Sequence, residues 1–253
     1  MSQRAPSSHA PANPPALVLC EFVDPGLPTH ESYSPFCLKV HRALRAAGLP
    51  YERRHGQRPV AFKDLNPALQ VPILLVGGEP VHDSTRILAR IEELAPPARP
   101  LDARTRAEAL LWEELADTSL SAFLVAARWA DERNWPAVEA AYFGAMPPPV
   151  RADVVPGLRA NVLDALYKRD VWRLGPEACW RRFDEVLDQL ELRAPDEGYW
   201  LGPSLSAADF GLFAQLFSFC TALTPWQHEA LRRRPRLARY VDRVDAATRA
   251  PAA

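Results

Sequence analysis

The chain has no excess of charge of either sign: its 253 residues carry 30 Lys and Arg against 31 Asp and Glu, a formal net charge of −1. The basic excess that draws a protein onto nucleic acid or an anionic membrane is therefore missing, and neither is expected as a partner. Paired cysteines are missing as well. Cys20, Cys37, Cys179 and Cys220 stand far apart without CxxC or Cys/His spacing, which argues against a disulfide framework and gives no metal site. Four unpaired thiols fit a reducing, cytoplasmic setting. No segment supplies the ~20 consecutive apolar residues of a membrane-spanning helix. Residues 1–15 (MSQRAPSSHAPANPP) hold no apolar run long enough for a signal-peptide core and read as a disordered tail.

What is present divides into an α/β part and an all-helical part, and the length allows for two domains. An apolar run from Ala16 to Val23 predicts a strand. Ser34 followed by Pro35 is the order of a helix N-cap and first helical residue, and Cys37, Val40, Ala43, Leu44 and Ala47 then recur at helical spacing until Gly48 and Pro50. Tyr51 to His55 is a short second strand, and Gly56 to Leu65 reads as irregular or briefly helical. Val71 to Val76 predicts a buried strand, Gly77-Gly78 a hairpin turn and Glu79 to His82 its edge partner. Asp83-Ser84-Thr85 then caps a helix striped by Ile87, Leu88, Ile91 and Leu94. The order βαβ then ββα is the thioredoxin-like arrangement.

Three points in that order have chemical consequences. A hydroxyl at the Ser34 helix mouth, where main-chain amides and the helix dipole favour negative charge, can be a cap alone or can hydrogen-bond a thiolate and lower its pKa. A cis Val71-Pro72 bond would turn the Val71 N–H and C=O toward an open groove, where an extended tripeptide can pair with them. The Asp83-Ser84 mouth offers amides and a hydroxyl to a carboxylate and the Asp83 side chain to an ammonium, the two charges at the amino-acid end of a γ-glutamyl group. Cys37 falls on the apolar stripe and is expected to pack in the core.

Ser34-Pro35-Phe36-Cys37, Asn66-Pro67 followed by Gln70-Val71-Pro72, and Asp83-Ser84 together resemble the N-terminal domain of the glutathione transferase superfamily, a likeness running from Ala16 to Leu94. Ser-Pro-Phe-Cys-Leu-Lys-Val and the later Ala-Gly-Leu-Pro-Tyr-Glu look most like the branch that holds metaxins and the failed-axon-connections proteins. The resemblance implies glutathione as cosubstrate, held by Phe36, Gln70, Val71, Pro72, Asp83 and Ser84, with Ser34 activating the thiol. Omega-type relatives carry cysteine where this chain has Ser34, so a mixed disulfide at that position is excluded and conjugation or isomerisation is favoured over thiol-disulfide reduction. Relatives that place serine one position earlier point to Tyr33, whose phenol is the reserve donor. The family also implies a homodimer.

Pro96-Pro97-Ala98-Arg99-Pro100 reads as a linker, giving boundaries at 16–95 for a thioredoxin-like domain, 96–104 for the linker and 105–253 for an all-α domain. A long helix is expected from about Thr105 to Ala130 with Leu111, Leu115, Leu120, Phe123 and Leu124 in the core. Trp129, Trp135, Tyr142 and Phe143 can line an apolar substrate pocket or simply pack. Further helices are predicted near Val150 to Arg169 and Pro176 to Arg193, and Ser206 with Asp209 three residues on is a capping-box variant, with Leu205 and Phe210 as its staple. Arg232-Arg233-Arg234 reads as a solvated helix end. Val171 to Gly175 departs from the metaxin-like pattern, leaving only Arg173 in place. The activity expected is attack of a glutathione thiolate on a small hydrophobic electrophile; the alternative is a non-catalytic binding protein on the same fold.

Overall fold

The structure is a computed structural model describing residues 15–23, 26–27, 29–169 and 171–249; the expected tail, Pro15 apart, lies outside the described residues. Strand β1 (Leu17–Phe22) leads to helix α1 (Pro35–Ala46) and strand β2 (Glu52–Gly56). A single 3-10 turn at Pro59–Phe62 precedes strands β3 (Ile73–Val76) and β4 (Glu79–His82), then helix α2 (Ser84–Leu94). The sheet order is β2-β1-β3-β4, with β1 parallel to β2 and the other pairs antiparallel. Cys20 is paired with Ile73 and Ile73 with His82, so the end of β1, the start of β3 and the end of β4 lie at the same end of the sheet. This is the expected thioredoxin-like order, with β1, β2 and β3 a residue or two from their predicted bounds, as frayed strand ends allow.

A continuous helical path follows: α3 (Ala103–Leu115), a π-helical stretch at Ala116–Leu120, α4 (Ser121–Val125) and a second π-helical stretch at Ala126–Ala130. Helices α5 (Trp135–Phe143), α6 (Pro148–Arg169), α7 (Gly175–Arg193), α8 (Ala207–Ser218), α9 (Pro225–Arg232) and α10 (Pro235–Thr248) complete the second, all-helical part. Its core is centred on Leu120, Phe123, Leu212, Phe213 and Val241. Asp209 caps α8 as expected, accepting from the Ser206 N–H (2.9 Å) and hydroxyl (2.8 Å), and also from the Trp200 N–H (2.7 Å) and the Tyr240 hydroxyl (2.9 Å).

Helix α1 is covered on both sides. Val40, Ala43 and Leu44 pack with Leu17, Leu19, Leu74 and Ile87 against the sheet, while Leu38 belongs to the core of the helical part. Lys39, His41 and Arg42 are buried too, which an apolar stripe does not announce. Two expectations fail for the same reason. Leu111 is 70% exposed, because the buried face of α3 carries Ala109 and Glu113, and Glu113 is drawn inward by Lys39 at 2.5 Å. Arg234 is buried, not solvated, because Asp184 and Asp188 of α7 receive it at 2.8 Å each. A buried charge is tolerated when it is paired and hydrogen-bonded, so such residues follow their partners and not their hydropathy.

Candidate functional site

The first turn of α1 opens at the sheet end just described. Ser34 is its N-cap, and its Oγ accepts from the Cys37 N–H at 3.4 Å, long for such a bond. The cap uses the oxygen as acceptor, and the hydroxyl also lies within hydrogen-bonding reach of the Cys37 thiol. The Ser34 N–H itself donates to the Ser32 Oγ at 3.2 Å. Cys37 is fully buried; burial first, then the Glu21 carboxylate, pushes its thiol up to about 12, against the opposing pull of the Ser34 and Ser32 hydroxyls. It is a packing residue with no thiolate to offer.

The loop presenting Ser34 is held by arginines from both parts of the chain. Arg53 of β2 donates to the Glu31 carbonyl at 2.6 Å, and Arg42 and Arg45 of α1 bind the Glu31 carboxylate. Burial works to raise that carboxyl, but Arg42 and Arg45 outweigh it and hold it below the ordinary carboxylate range. From the helical part, Arg128 donates to the Tyr33 carbonyl at 2.5 Å. The Tyr33 phenol is half-buried; burial and then the nearby Tyr142 raise its pKa, with Arg128 pulling the other way. Beneath the loop, Glu21 is buried between His41 Nε2 (3.0 Å) and Arg53 Nε (2.6 Å), and His41 Nδ1 lies 2.7 Å from the Tyr51 hydroxyl.

The expected binding residues flank this mouth. Phe36 is half-buried in the first turn of α1. Gln70 is exposed, and its carbonyl accepts from Asn66 Nδ2 at 3.0 Å; the Val71-Pro72 peptide is cis. Asp83 has φ 75°, a left-handed backbone, and its side chain caps α2 by accepting from the Arg86 N–H at 3.1 Å. Ser84 is buried, with its Oγ accepting from Lys39 Nζ at 3.1 Å. That ammonium also meets Glu113 (2.5 Å) and Asp117 (2.6 Å), and the Thr85 hydroxyl donates to Glu113 at 2.9 Å. Burial raises the Asp117 carboxyl in spite of Lys39. Lys39, Glu113 and Asp117 are neighbours of Ser84 that periodicity does not reveal.

On the helical side the aromatic residues form a linked wall. The Tyr33 and Tyr142 ring centroids lie 5.1 Å apart, Trp129 is 6.0 Å from Tyr142 and 5.7 Å from Trp135, and the Arg159 guanidinium sits 4.4 Å over Trp135. Tyr33, Trp129, Trp135 and Tyr142 are half-buried while Phe143 is buried, so the cluster packs on itself and still leaves ring surface open. Arg173 is exposed and donates to the Lys168 carbonyl at 2.8 Å. Among the described residues no group of three His, Cys, Asp or Glu is arranged to hold a metal ion, and no helix is long and apolar enough to cross a membrane.

A thioredoxin-like domain whose first helix opens beside a cis-proline strand, joined to an all-helical domain, defines a glutathione transferase fold. The family model of the glutathione S-transferase N-terminal domain matches residues 35–134, and that of the glutathione S-transferase C-terminal domain matches residues 148–243. The chain belongs to the glutathione transferase superfamily. Among curated proteins, it is 31% identical over 98 residues to Glutathione S-transferase U22 of Arabidopsis thaliana, covering 34% of this chain and 43% of that protein. It is 35% identical over 98 residues to Glutathione transferase GST 23 of Zea mays, covering 36% and 44%. The chain thus spans less than half the length of the curated relatives it matches. Among solved structures, the β-etherase LigF of Sphingobium sp. strain SYK-6 superposes with a TM-score of 0.67 at 22% identity over 91% of this chain and 95% of that one. Rice GST1, solved in complex with glutathione, superposes with a TM-score of 0.56 at 21% identity over 93% and 90%. These likenesses extend over nearly the whole fold.

Proposed function

We propose that the protein is a glutathione-dependent transferase or isomerase that activates the glutathione thiol for attack on a small hydrophobic electrophile. The observation that carries this reading is the register Cys20 to Ile73 to His82, by which the loop into the Ser34 helix mouth, the Val71 main chain and the Asp83-Ser84 mouth of α2 share one end of one sheet. The γ-glutamyl carboxylate takes the first amides of α2 and the Ser84 O–H, whose oxygen is already held by Lys39, and Asp83 takes the ammonium. The Val71 main chain pairs with the peptide, and Phe36, Gln70 and Pro72 border it. The thiol lies at Ser34, whose O–H donates to it. A thiol of pKa ~8.5 is mostly protonated at neutral pH, and lowering it by one unit raises the thiolate about tenfold. Tyr33 is the reserve donor.

The aromatic wall from Tyr33 to Trp135 supports an apolar acceptor. The Ser-Pro-Phe-Cys stretch favours a metaxin-like branch, whereas the plant transferases among the relatives favour a catalyst over an adaptor. A cytoplasmic homodimer fits the family. The test is glutathione-dependent turnover of wild type, Ser34→Ala and Tyr33→Phe on aryl halides, epoxides, enones and cis-enoyl diacids, with the thermal shift by glutathione measured in parallel. Ser34→Ala should lose turnover about tenfold or more while keeping the shift. Loss confined to Tyr33→Phe would move the assignment by one residue. A wild type with neither turnover nor shift would leave a binding protein on this fold.

A further inference from the structure

Among the described residues, Leu69 and Asp83 are the non-glycine positions with a left-handed backbone, at φ 58° and 75°. Both border the groove proposed for the tripeptide, one on each side of the Val71-Pro72 bond in sequence. Aspartate tolerates this conformation, and Asp83 uses it to cap α2 through the Arg86 N–H. Leucine has no such compensation, because its Cβ crowds the main chain and it carries no polar atom to bond locally. Nor does the fold gain from its side chain. Leu65 and Val71 on either side pack against Phe62, Ile73 and Leu75, whereas Leu69 is 42% exposed and stands outside that cluster. Buried Asn66 imposes the conformation: its carbonyl accepts from the Leu69 N–H at 3.0 Å, its Oδ1 accepts from the Ala68 N–H at 3.1 Å, and its Nδ2 donates to the Gln70 carbonyl at 3.0 Å. Strain that the surrounding bonds hold in place, and that packing does not use, is the pattern of a ligand clamp.

Strand geometry gives the place that Leu69 serves. A tripeptide residue that exchanges its N–H and C=O with those of Val71 makes the antiparallel pattern, so the tripeptide runs against the chain. His82 is paired with Ile73, which sets the Asp83-Ser84 mouth beside Pro72. With the γ-glutamyl end at that mouth, the middle residue meets Val71 and the third residue arrives over Gln70 and Leu69. No charged residue occurs from Leu65 to Gly78, so this stretch offers the incoming residue an apolar side chain and an amide but no cation. We propose that Leu69 is a specificity-determining residue for the thiol cosubstrate, and that the site takes γ-glutamyl-cysteinyl tripeptides with an apolar third residue as well as glutathione or better. The side chain of that third residue packs on the Leu69 isobutyl group, where the glycine of glutathione presents none. This rests on the glutathione reading above and extends it to the class of thiol. Leu69 acts on binding alone, and the chemistry at sulfur is unchanged.

The experiment measures kcat/KM of wild type, Leu69→Gly and Leu69→Lys with one saturating aryl halide and three thiols: glutathione, its glycyl ethyl ester and γ-glutamyl-cysteinyl-valine. Wild type should use the ester and the valyl peptide at least as efficiently as glutathione. Leu69→Gly should lower the ratio of valyl peptide to glutathione about tenfold, through the KM for the thiol, as the valyl methyl groups lose their apolar contact. Leu69→Lys, which brings a cation to the same place, should lower the ratio of ester to glutathione. Because glycine relieves the left-handed backbone, the melting midpoint of Leu69→Gly should stand at or above that of wild type, where loss of a packing residue would lower it. A wild type that fails on both analogues would define a site that reads the carboxylate. A ratio unchanged in Leu69→Gly would mean that the side chain meets no ligand, and a lowered midpoint that it serves the fold. Each of these would overturn the role of Leu69 while leaving thiol activation at Ser34 standing. A wild type with no turnover of any thiol and no glutathione thermal shift would remove the underlying reading, and this one with it.

Discussion

Replacing Lys39 by methionine keeps the length of the side chain and removes its charge. The wild-type ammonium is fully buried, 2.5 Å from Glu113 and 2.6 Å from Asp117, and donates to Ser84 Oγ at 3.1 Å. Breaking a buried pair from one side costs ~3–5 kcal/mol, because the remaining charge is left without compensation. Two features soften the loss here. Thr85 continues to donate to Glu113, and Asp117, 14% exposed and already raised by burial, can take up a proton. The low end of the range, about 3 kcal/mol, is therefore expected. At about 2–4 °C per kcal/mol for a chain of this size, the melting midpoint should drop by roughly 6–12 °C. Urea denaturation should show a lower midpoint at unchanged slope. The double variant Lys39→Met with Glu113→Gln should recover more than half, since an amide at that position still accepts from Thr85 and leaves no buried charge. The KM for glutathione should rise severalfold as Ser84 loses the donor that fixes its hydroxyl. A Lys39→Met variant within ~1 kcal/mol of wild type, or a double variant no better than the single, would refute the electrostatic account.

Two other outcomes follow from the same network. Burial works to raise the Glu21 carboxyl, but His41 and Arg53 hold it below the ordinary 4.5. An acid with a lowered folded value stabilises fully above its unfolded value and loses that contribution as pH falls through the folded one, so stability should decline below about pH 4.5. Glu21→Gln should flatten that acid limb in denaturation measured against pH; an identical limb in both proteins would place the acid sensitivity elsewhere. Cys37, with its thiol at about 12, should resist alkylation by iodoacetamide in the folded protein at mildly alkaline pH and react once unfolded, and Cys37→Ala should retain glutathione-dependent turnover. Labelling of native Cys37 at the unfolded rate would contradict its burial.

The parts of the site that could be read from the sequence are those fixed by local chemistry. Ser34-Pro35, Gly77-Gly78 and Asp83-Ser84 act on the backbone within a few residues, so their signal lies in the order of the letters. Lys39, His41, Arg42 and Glu113 were hidden because a charged residue in a helical pattern reads as solvent-facing until its partner is known. Several of those partners are far off in the chain: His41 meets Glu21, Lys39 meets Glu113, and Arg42 meets Asp245 as well as the nearer Glu31. Arg128 left even less trace. Its acceptors are the main-chain carbonyls of Tyr33 and Ser218, which any residue would supply, and a phenol. The expected uninterrupted helix from Thr105 to Ala130 is continuous in path, but two π-helical stretches break its period, and no proline or glycine within it marks the change.

Helix α1 gives the architecture a consequence for inheritance. The proline-rich connection between α2 and α3 looks like a natural place to cut and rejoin genes, since each half is a recognisable unit on its own. The helix that opens the proposed site nevertheless lies along the seam, with Leu38 in the other half's core, Lys39 on Glu113 and Asp117, and Arg42 on Asp245. A chimera joined at that connection would import a foreign surface against two buried cations that need their own acids. Exchange of halves between relatives is therefore restricted to pairs that carry matching seams, and the two halves of this protein should diverge in step.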